Sequence, residues 1–210
     1  MKGLFLKDSY IVIKQLIAFC LIIIGMLLFG KIADEGGEWI CVVISYLTII
    51  CSSTACASLL ADDEKNHFDI YSRVLPISRK NIINEKFILS LIINIVYLDF
   101  AAVAMGIGVS VSTTEFQEYM FLNIVLTIIL SSLMLLLTIR FNAQKAVLIV
   151  VTIFPIIGVL IASLLGIYDE KYNLTTMLWK MRCLFVVLSL IIYALCFYFS
   201  SRIYEKKEIM

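Results

Sequence analysis

Six long stretches without charge, separated by short charged segments, constrain this chain more than any other feature of its sequence. Four of them hold no Asp, Glu, Lys or Arg for 19 to 23 residues. They lie between Glu38 and Asp62, Glu118 and Arg140, Lys145 and Asp169, and Arg182 and Arg202. A fifth, between Lys86 and Glu115, has 28 residues and one charge, Asp99, and the first, between Lys14 and Lys31, has 16. About 20 helical residues cross a hydrocarbon core, and flanking lysines can extend to the headgroups, so each stretch can span a membrane.

The lipid environment limits what these stretches can form. Backbone groups in hydrocarbon must bond to one another, which leaves helices or closed barrels, and the stretches lack the period-two alternation of a barrel strand. Hydrophobic residues make up 62% of the 210 residues, too many for a soluble domain. The sequence therefore predicts an all-α polytopic protein, one transmembrane domain over 1–210. Its six predicted spans are 15–31, 39–61, 87–111, 120–139, 146–167 and 183–201.

The basic residues are distributed unequally between the two sides of such a protein. The N-terminal segment, the 62–86 loop, the 140–145 loop and the C-terminal tail carry 13 of the 17 Lys and Arg residues, and the other side carries 4. Positively charged loops remain in the cytoplasm. Both termini are therefore predicted to be cytoplasmic.

The first 14 residues have a two-sided character. Phe5, Leu6, Tyr10 and Ile13 project to one side of a helix, while Lys7, Asp8 and Lys14 project to the other. This pattern predicts an amphipathic helix over 1–14 that lies in the membrane interface. The alternative is a plain continuation of the first span.

The 62–86 loop also has helical periodicity. Phe68, Tyr71, Val74 and Leu75 fall on one helical face. Asp62 or Asp63 is predicted to cap this short helix, Glu64 suits its first turn, and Pro76 ends it. Ser78 can then cap a second helix that continues through Arg79 into span three.

This loop and the start of the chain carry a resemblance to a known family. Acidic residues after span two, an aromatic short helix and Leu75-Pro76-Ile77-Ser78-Arg79 before span three resemble the ABC-2 type transporter permeases. The opening Met1-Lys2-Gly3-Leu4-Phe5-Leu6-Lys7-Asp8 is similar to the start of many members. Within the family, the chain looks closest to small bacterial permeases that export amphipathic peptides, such as the phenol-soluble modulin exporters.

The resemblance implies a permease subunit of an exporter in the bacterial cytoplasmic membrane. It would act as a dimer, with a second copy or a paralogue, and bind a cytoplasmic ATPase subunit that holds ATP and Mg. The loop between spans two and three would be the coupling helix on that ATPase; the alternative is a helix that only lies on lipid. The residues placed in that contact are Asp62, Asp63, Glu64, Phe68, Tyr71, Arg73, Leu75, Pro76, Ser78 and Arg79. The implied cargo is an amphipathic peptide or another hydrophobic molecule, with membrane lipid and no nucleic acid as further partners.

The motifs of catalysis are missing from the sequence. It contains no G-x-x-x-x-G-K-[ST] phosphate loop, so the chain is not expected to hydrolyse ATP itself. His67 is the one histidine, which leaves no base for a nucleophile within the spans and a poor set of metal ligands. We predict no catalytic, metal or cofactor site in this chain.

A few polar residues fall inside the spans. Asp99 lies near the middle of its stretch, where a charge costs about 3 kcal/mol or more, and Asn94 is on a nearby face. Ser45, Thr48 and Ser52 belong to a run of small and hydroxyl residues in span two, which favours close helix packing. We predict a polar site of Asp99, Asn94, Ser45, Thr48 and Ser52, either structural or lining a pathway.

Two other functions are compatible with these features. A non-transporting membrane regulator or immunity protein could use the loop as a docking surface. An ATP-independent small-solute carrier would be expected to contain inverted repeats, and the two halves of the sequence show no convincing similarity.

Overall fold

A computed structural model of the chain describes residues 2–33, 37–66, 79–108, 113–150, 152–153 and 181–206. The regular structure in this part of the chain is helical throughout. The helices are α1 (Lys2–Ala33), α2 (Gly37–Lys65), α3 (Arg79–Gly108), α4 (Thr113–Phe141), α5 (143–150) and α6 (Arg182–Lys206). The all-α prediction is confirmed for these residues.

Five of these helices, α1, α2, α3, α4 and α6, are long and apolar enough to cross a membrane. They correspond to five of the six predicted spans. The remaining predicted span, 146–167, lies mostly outside the described residues, and α5 contains its beginning. Each of the five helices extends a few residues beyond its predicted span, because a helix does not stop where the hydrocarbon stops and charged side chains can continue it into the headgroups.

The first helix runs without a break from Lys2 to Ala33, 32 residues or about 48 Å. The predicted boundary near residue 14 is therefore not a break in the backbone, as the alternative of a continuous helix requires. Leu6, Tyr10 and Ile13 are exposed on its outer side, whereas Asp8 is buried against the bundle. An orientation of these first turns along the membrane surface stays a prediction.

The end of α2 differs from the prediction. The helix continues through Asp62 and Asp63 to Lys65, so the two aspartates lie in its last turn and do not cap a new helix. Carboxylates near a helix C-terminus oppose the helix dipole. Lys7 and Lys86 lie beside them and compensate for this, which explains why the helix does not end earlier.

Helix α4 occupies the centre of the packing, with α2, α3 and α6 against it. Helix α2 also contacts α1 and α3, and α1 contacts α3. The face of α2 in the core is built from small residues, including Ser52, Ala55 and Cys56, each 0% exposed. Small side chains let helix backbones approach closely where lipid supplies no hydrophobic drive for association, which agrees with the close packing predicted for this run.

Contacts between distant segments define one end of the bundle, which we call the loop end. It holds the start of α1, the end of α2, the start of α3 and the junction of α4 with α5, joined by Lys7–Asp63, Lys86–Asp8 and Glu64–Ala143 contacts. The topology prediction requires these segments to share one side of the membrane. That this side is the cytoplasm stays a prediction.

Cysteine labelling of intact cells tests this orientation. Gln117, Asn66 and Asn142 are all exposed, so a cysteine at each would be accessible to reagent on its own side. We expect an impermeant thiol reagent to label Gln117→Cys from outside and to leave Asn66→Cys and Asn142→Cys unlabelled. Cys183 is itself exposed, so the test uses a Cys183→Ser background. Outside labelling at Asn66, with protection at Gln117, would reverse the topology.

Candidate functional site

A buried lysine organises the loop end. Lys86, on the first turns of α3, is 1% exposed, and its Nζ has three acceptors within hydrogen-bond distance. They are Asp8 Oδ2 of α1 at 2.5 Å, Asp63 Oδ2 of α2 at 2.8 Å and the Leu59 carbonyl oxygen of α2 at 3.0 Å. An ammonium group has three N–H donors, so Lys86 is fully satisfied and joins three helices.

A second lysine extends this cluster toward solvent. Lys7 Nζ donates to Asp63 Oδ1 at 2.5 Å and lies 3.7 Å from Asp62 Oδ2. Asp63 therefore accepts from a different lysine on each of its two carboxylate oxygens. The Lys7 and Asp62 side chains are each 32% exposed, whereas Asp63 is largely buried, so the cluster has a dry interior and a wet rim.

The acids of this cluster outnumber its bases. Glu85 interacts electrostatically with Asp8, Asp63 and Lys86. The buried oxygens Asp8 Oδ1 and Glu85 Oε1 have no hydrogen-bond partner among the described residues. An uncompensated buried charge is costly, so the stability of this end depends on both lysines remaining in place.

Another contact joins the end of α2 to the junction between α4 and α5. Asn142 is a one-residue junction with φ of 75°, a left-handed conformation that asparagine tolerates at a helix end. Its N–H donates to the Thr138 carbonyl at 3.2 Å, and its own carbonyl accepts from the Ala146 N–H at 3.0 Å. Glu64 Oε2 accepts from the Ala143 N–H at 3.3 Å, which places a carboxylate at the N-terminus of α5.

The predicted ATPase-contact residues divide into two groups. Asp62, Asp63 and Glu64 are in the last turn of α2, and Arg79 begins α3. Phe68, Tyr71, Arg73, Leu75, Pro76 and Ser78 lie outside the described residues. The structure thus describes both roots of the loop, and Asp63 and Lys86 connect these roots directly.

The predicted polar residues of the spans mostly form helix-to-helix contacts. Asn94 Nδ2 of α3 donates to Ser131 Oγ of α4 at 2.7 Å, and Asn123 Nδ2 of α4 donates to Ser45 Oγ of α2 at 3.1 Å. Thr48 and Ser52 are buried and bond to carbonyls of their own helix, at Ile44 and Ile49. In these contacts the side chains serve packing between or within helices.

Asp99 does not join this group. It lies on the outward face of α3, between Ile95 and Val103, which are 59% and 57% exposed. Asn94 is buried on another face, so the expected neighbourhood of the two residues is wrong. Five residues along a helix correspond to a rotation of about 140°, which separates their side chains.

Sequence reasoning did not identify Lys86 and Asp8 as a site. A signal for them existed, since opposite charges flank spans that share one membrane side. The choice of partners is nonlocal, because 78 residues separate the two side chains. Only the packing of α1 against α3 brings them together.

Comparison with known proteins gives one result. A search of the curated proteins returns no match. A family model described as "ABC-2 family transporter protein" matches residues 3–205, which include all five long helices and the loop between α2 and α3. The match is to the family and does not distinguish the phenol-soluble modulin exporters within it. Because it covers nearly the whole chain, this multi-pass membrane protein belongs to the ABC-2 transporter family.

Proposed function

We propose that this chain is the membrane-spanning permease subunit of an ATP-driven exporter and that it acts with a separate ATP-binding subunit. The observation that carries the proposal is the family match over residues 3–205. Membership in this family implies a partner ATP-binding subunit in general. The five long apolar helices agree with a membrane subunit.

The loop between α2 and α3 is the proposed contact with the ATPase. Its two roots are held together by the Asp63–Lys86 ion pair, so the chain leaves and re-enters the bundle at a fixed place. Asp62 and Glu64 remain partly or fully exposed beside it. Asp63 is engaged on both oxygens and largely buried, so we remove it from the proposed contact set and assign it to the internal cluster.

The proposed working form is a dimer of permeases around a shared pathway. Between the charges that bound the five long spans, Asp99 is the single ionisable carboxylate, and no Lys or Arg occurs there. A pathway for a highly charged solute would need more compensating charge than this. We therefore propose a cargo with a large apolar surface, such as an amphipathic peptide or another hydrophobic molecule, moved outward across the bacterial cytoplasmic membrane.

Aromatic substitutions in the loop test the ATPase contact. If Phe68 and Tyr71 are buried in that interface, Phe68→Ala and Tyr71→Ala should each weaken ATPase binding by about 2 kcal/mol, since few side chains carry most of the energy of an interface. Binding is measured between the purified permease in nanodiscs and the ATPase subunit encoded beside it. Arg73→Ala should have a smaller effect that diminishes with salt.

Matched controls are available on the membrane-facing surface. Phe100 and Tyr46 are 43% and 45% exposed within the spans, so Phe100→Ala and Tyr46→Ala remove the same side chains away from the loop end. We expect both to bind the ATPase as the wild type does. Unchanged ATPase affinity in both loop variants would contradict the coupling contact and favour a loop that lies on lipid. Purified protein that binds no ATP-binding subunit at all would instead favour a non-transporting regulator or an ATP-independent carrier.

A further inference from the structure

We propose that Asp8, Asp63 and Lys86 form a latch that ties the start of α1 to both roots of the α2–α3 loop, so that displacement of the loop moves α1. The three are positioning residues: none needs to touch the ATPase or the cargo. This inference rests on the proposed function, because it assigns the route by which movement of the ATPase reaches the spans.

The latch has the geometry of a rigid connection. The Lys86 ammonium spends all three donors on α1 and α2, with Asp8 Oδ2 at 2.5 Å, Asp63 Oδ2 at 2.8 Å and the Leu59 carbonyl at 3.0 Å. Asp8 is 0% exposed and Lys86 1%, so water does not compete for these bonds. Charge-assisted hydrogen bonds in a dry environment are stronger than neutral ones and fix direction as well as distance.

Helix α1 is the element that such a connection can move. Only 11% of its spanning window is buried, against 50%, 44% and 50% for α2, α3 and α4. It packs on α2 and α3, and its backbone is helical without interruption from Lys2 to Ala33. A helix that is weakly packed along its length and firmly held at one end tilts as a unit when that end is displaced.

Stability alone does not explain the cluster. A buried ion pair is often no more stabilising than apolar side chains of similar volume, because desolvation offsets the attraction between the charges. What charges add is a specific register between elements. Here they fix α1 relative to the two chain segments that enter and leave the loop.

The test uses Asp8→Leu, which removes the bond to α1 and leaves Lys86 with Asp63 and the Leu59 carbonyl. Hydrogen exchange of residues 5–14 is measured in nanodiscs, first on the permease alone and then on its complex with the ATPase trapped by ATP, Mg and orthovanadate. In the free variant, we expect exchange of this segment to rise about tenfold. In the complex, we expect trapping to alter exchange in α1 of the wild type and to leave α1 of the variant unresponsive, with ATPase affinity unchanged.

Two further variants define the cause. Asp8→Lys combined with Lys86→Asp exchanges the charges and should restore slow exchange and the response of α1, whereas a merely structural defect would persist or worsen. Glu118→Met removes an exposed carboxylate at the other end of α4 and should behave as the wild type. Exchange as fast in the charge-exchanged protein as in Asp8→Leu would contradict an ion-pair latch.

The outcomes separate the latch from the permease assignment. A complex that forms normally, with α1 of Asp8→Leu still responding to trapping, overturns the latch and leaves the permease assignment intact. Loss of ATPase binding in Asp8→Leu also overturns it, since Asp8 would then act on the contact itself. If the wild type binds no ATP-binding subunit, the permease assignment and the coupling role fall together, and exchange in the free protein shows whether Asp8 holds α1 at all.

Discussion

Replacement of Lys86 by Met should lower the free energy of unfolding by about 3–5 kcal/mol, the range for breaking one side of a buried ion pair. Lys86 is the one base within reach of Asp8 Oδ2, and Asp8 is 0% exposed. Without the ammonium, the carboxylates of Asp8, Asp63 and Glu85 would share a dry site with Lys7 alone. Equilibrium unfolding in mixed micelles, followed by helical circular dichroism, measures the change.

Two comparisons make this stability prediction specific. Lys145→Met removes an exposed lysine at the same end and should change stability by less than about 0.5 kcal/mol. Lys86→Met with Asp8→Leu removes both charges of the pair and should recover a large part of the loss, because apolar replacement of a whole buried pair is often neutral. A double variant as unstable as Lys86→Met, or a single variant as stable as wild type, would show that Asp8 is not the partner that matters.

The spans were predictable because the signal is local and strong. A charge in hydrocarbon is costly, so the uncharged stretches between Glu38 and Asp62 and between Glu118 and Arg140 mark helices α2 and α4 closely. The helix ends were less predictable, because beyond the hydrocarbon they depend on partners. Asp62 and Asp63 have the composition of an N-terminal cap, and they became a C-terminal turn because Lys7, 56 residues away from Asp63, neutralises them.

The internal contacts of the bundle were only partly predictable. The hydroxyl run of α2 indicated close packing, and Ser52, Ala55 and Cys56 are indeed fully buried. The pairing of Asn94 with Ser131, and of Asn123 with Ser45, depends on which helices are neighbours and at what rotation. A single sequence gives no information on either, which is also why Asp99 was expected near Asn94 although it faces outward.

Packing of α1 at mid-span depends on an aromatic pair. Tyr97 of α3 is 0% exposed, and its ring centroid lies 4.7 Å from that of Phe19 of α1, with the planes tilted by 44°. Phe19 is 1% exposed, although α1 is otherwise the least buried of the long helices. Beyond the loop end, this pair is therefore the main place where α1 is fixed to the bundle.

Tyr97→Ala should lower the free energy of unfolding by about 3–5 kcal/mol, as for other large-to-small core changes. The loss comes from packing, because lipid is as apolar as the core and transfer between them contributes little. Tyr97→Phe should have no effect or stabilise slightly, since the Tyr97 hydroxyl is buried with no hydrogen-bond partner among the described residues. Tyr46→Ala, at a 45% exposed position, is the matched control and should stay within about 0.5 kcal/mol of wild type. If Tyr97→Phe were as damaging as Tyr97→Ala in the same unfolding assay, the hydroxyl would carry the interaction, and the packing account of α1 would be wrong.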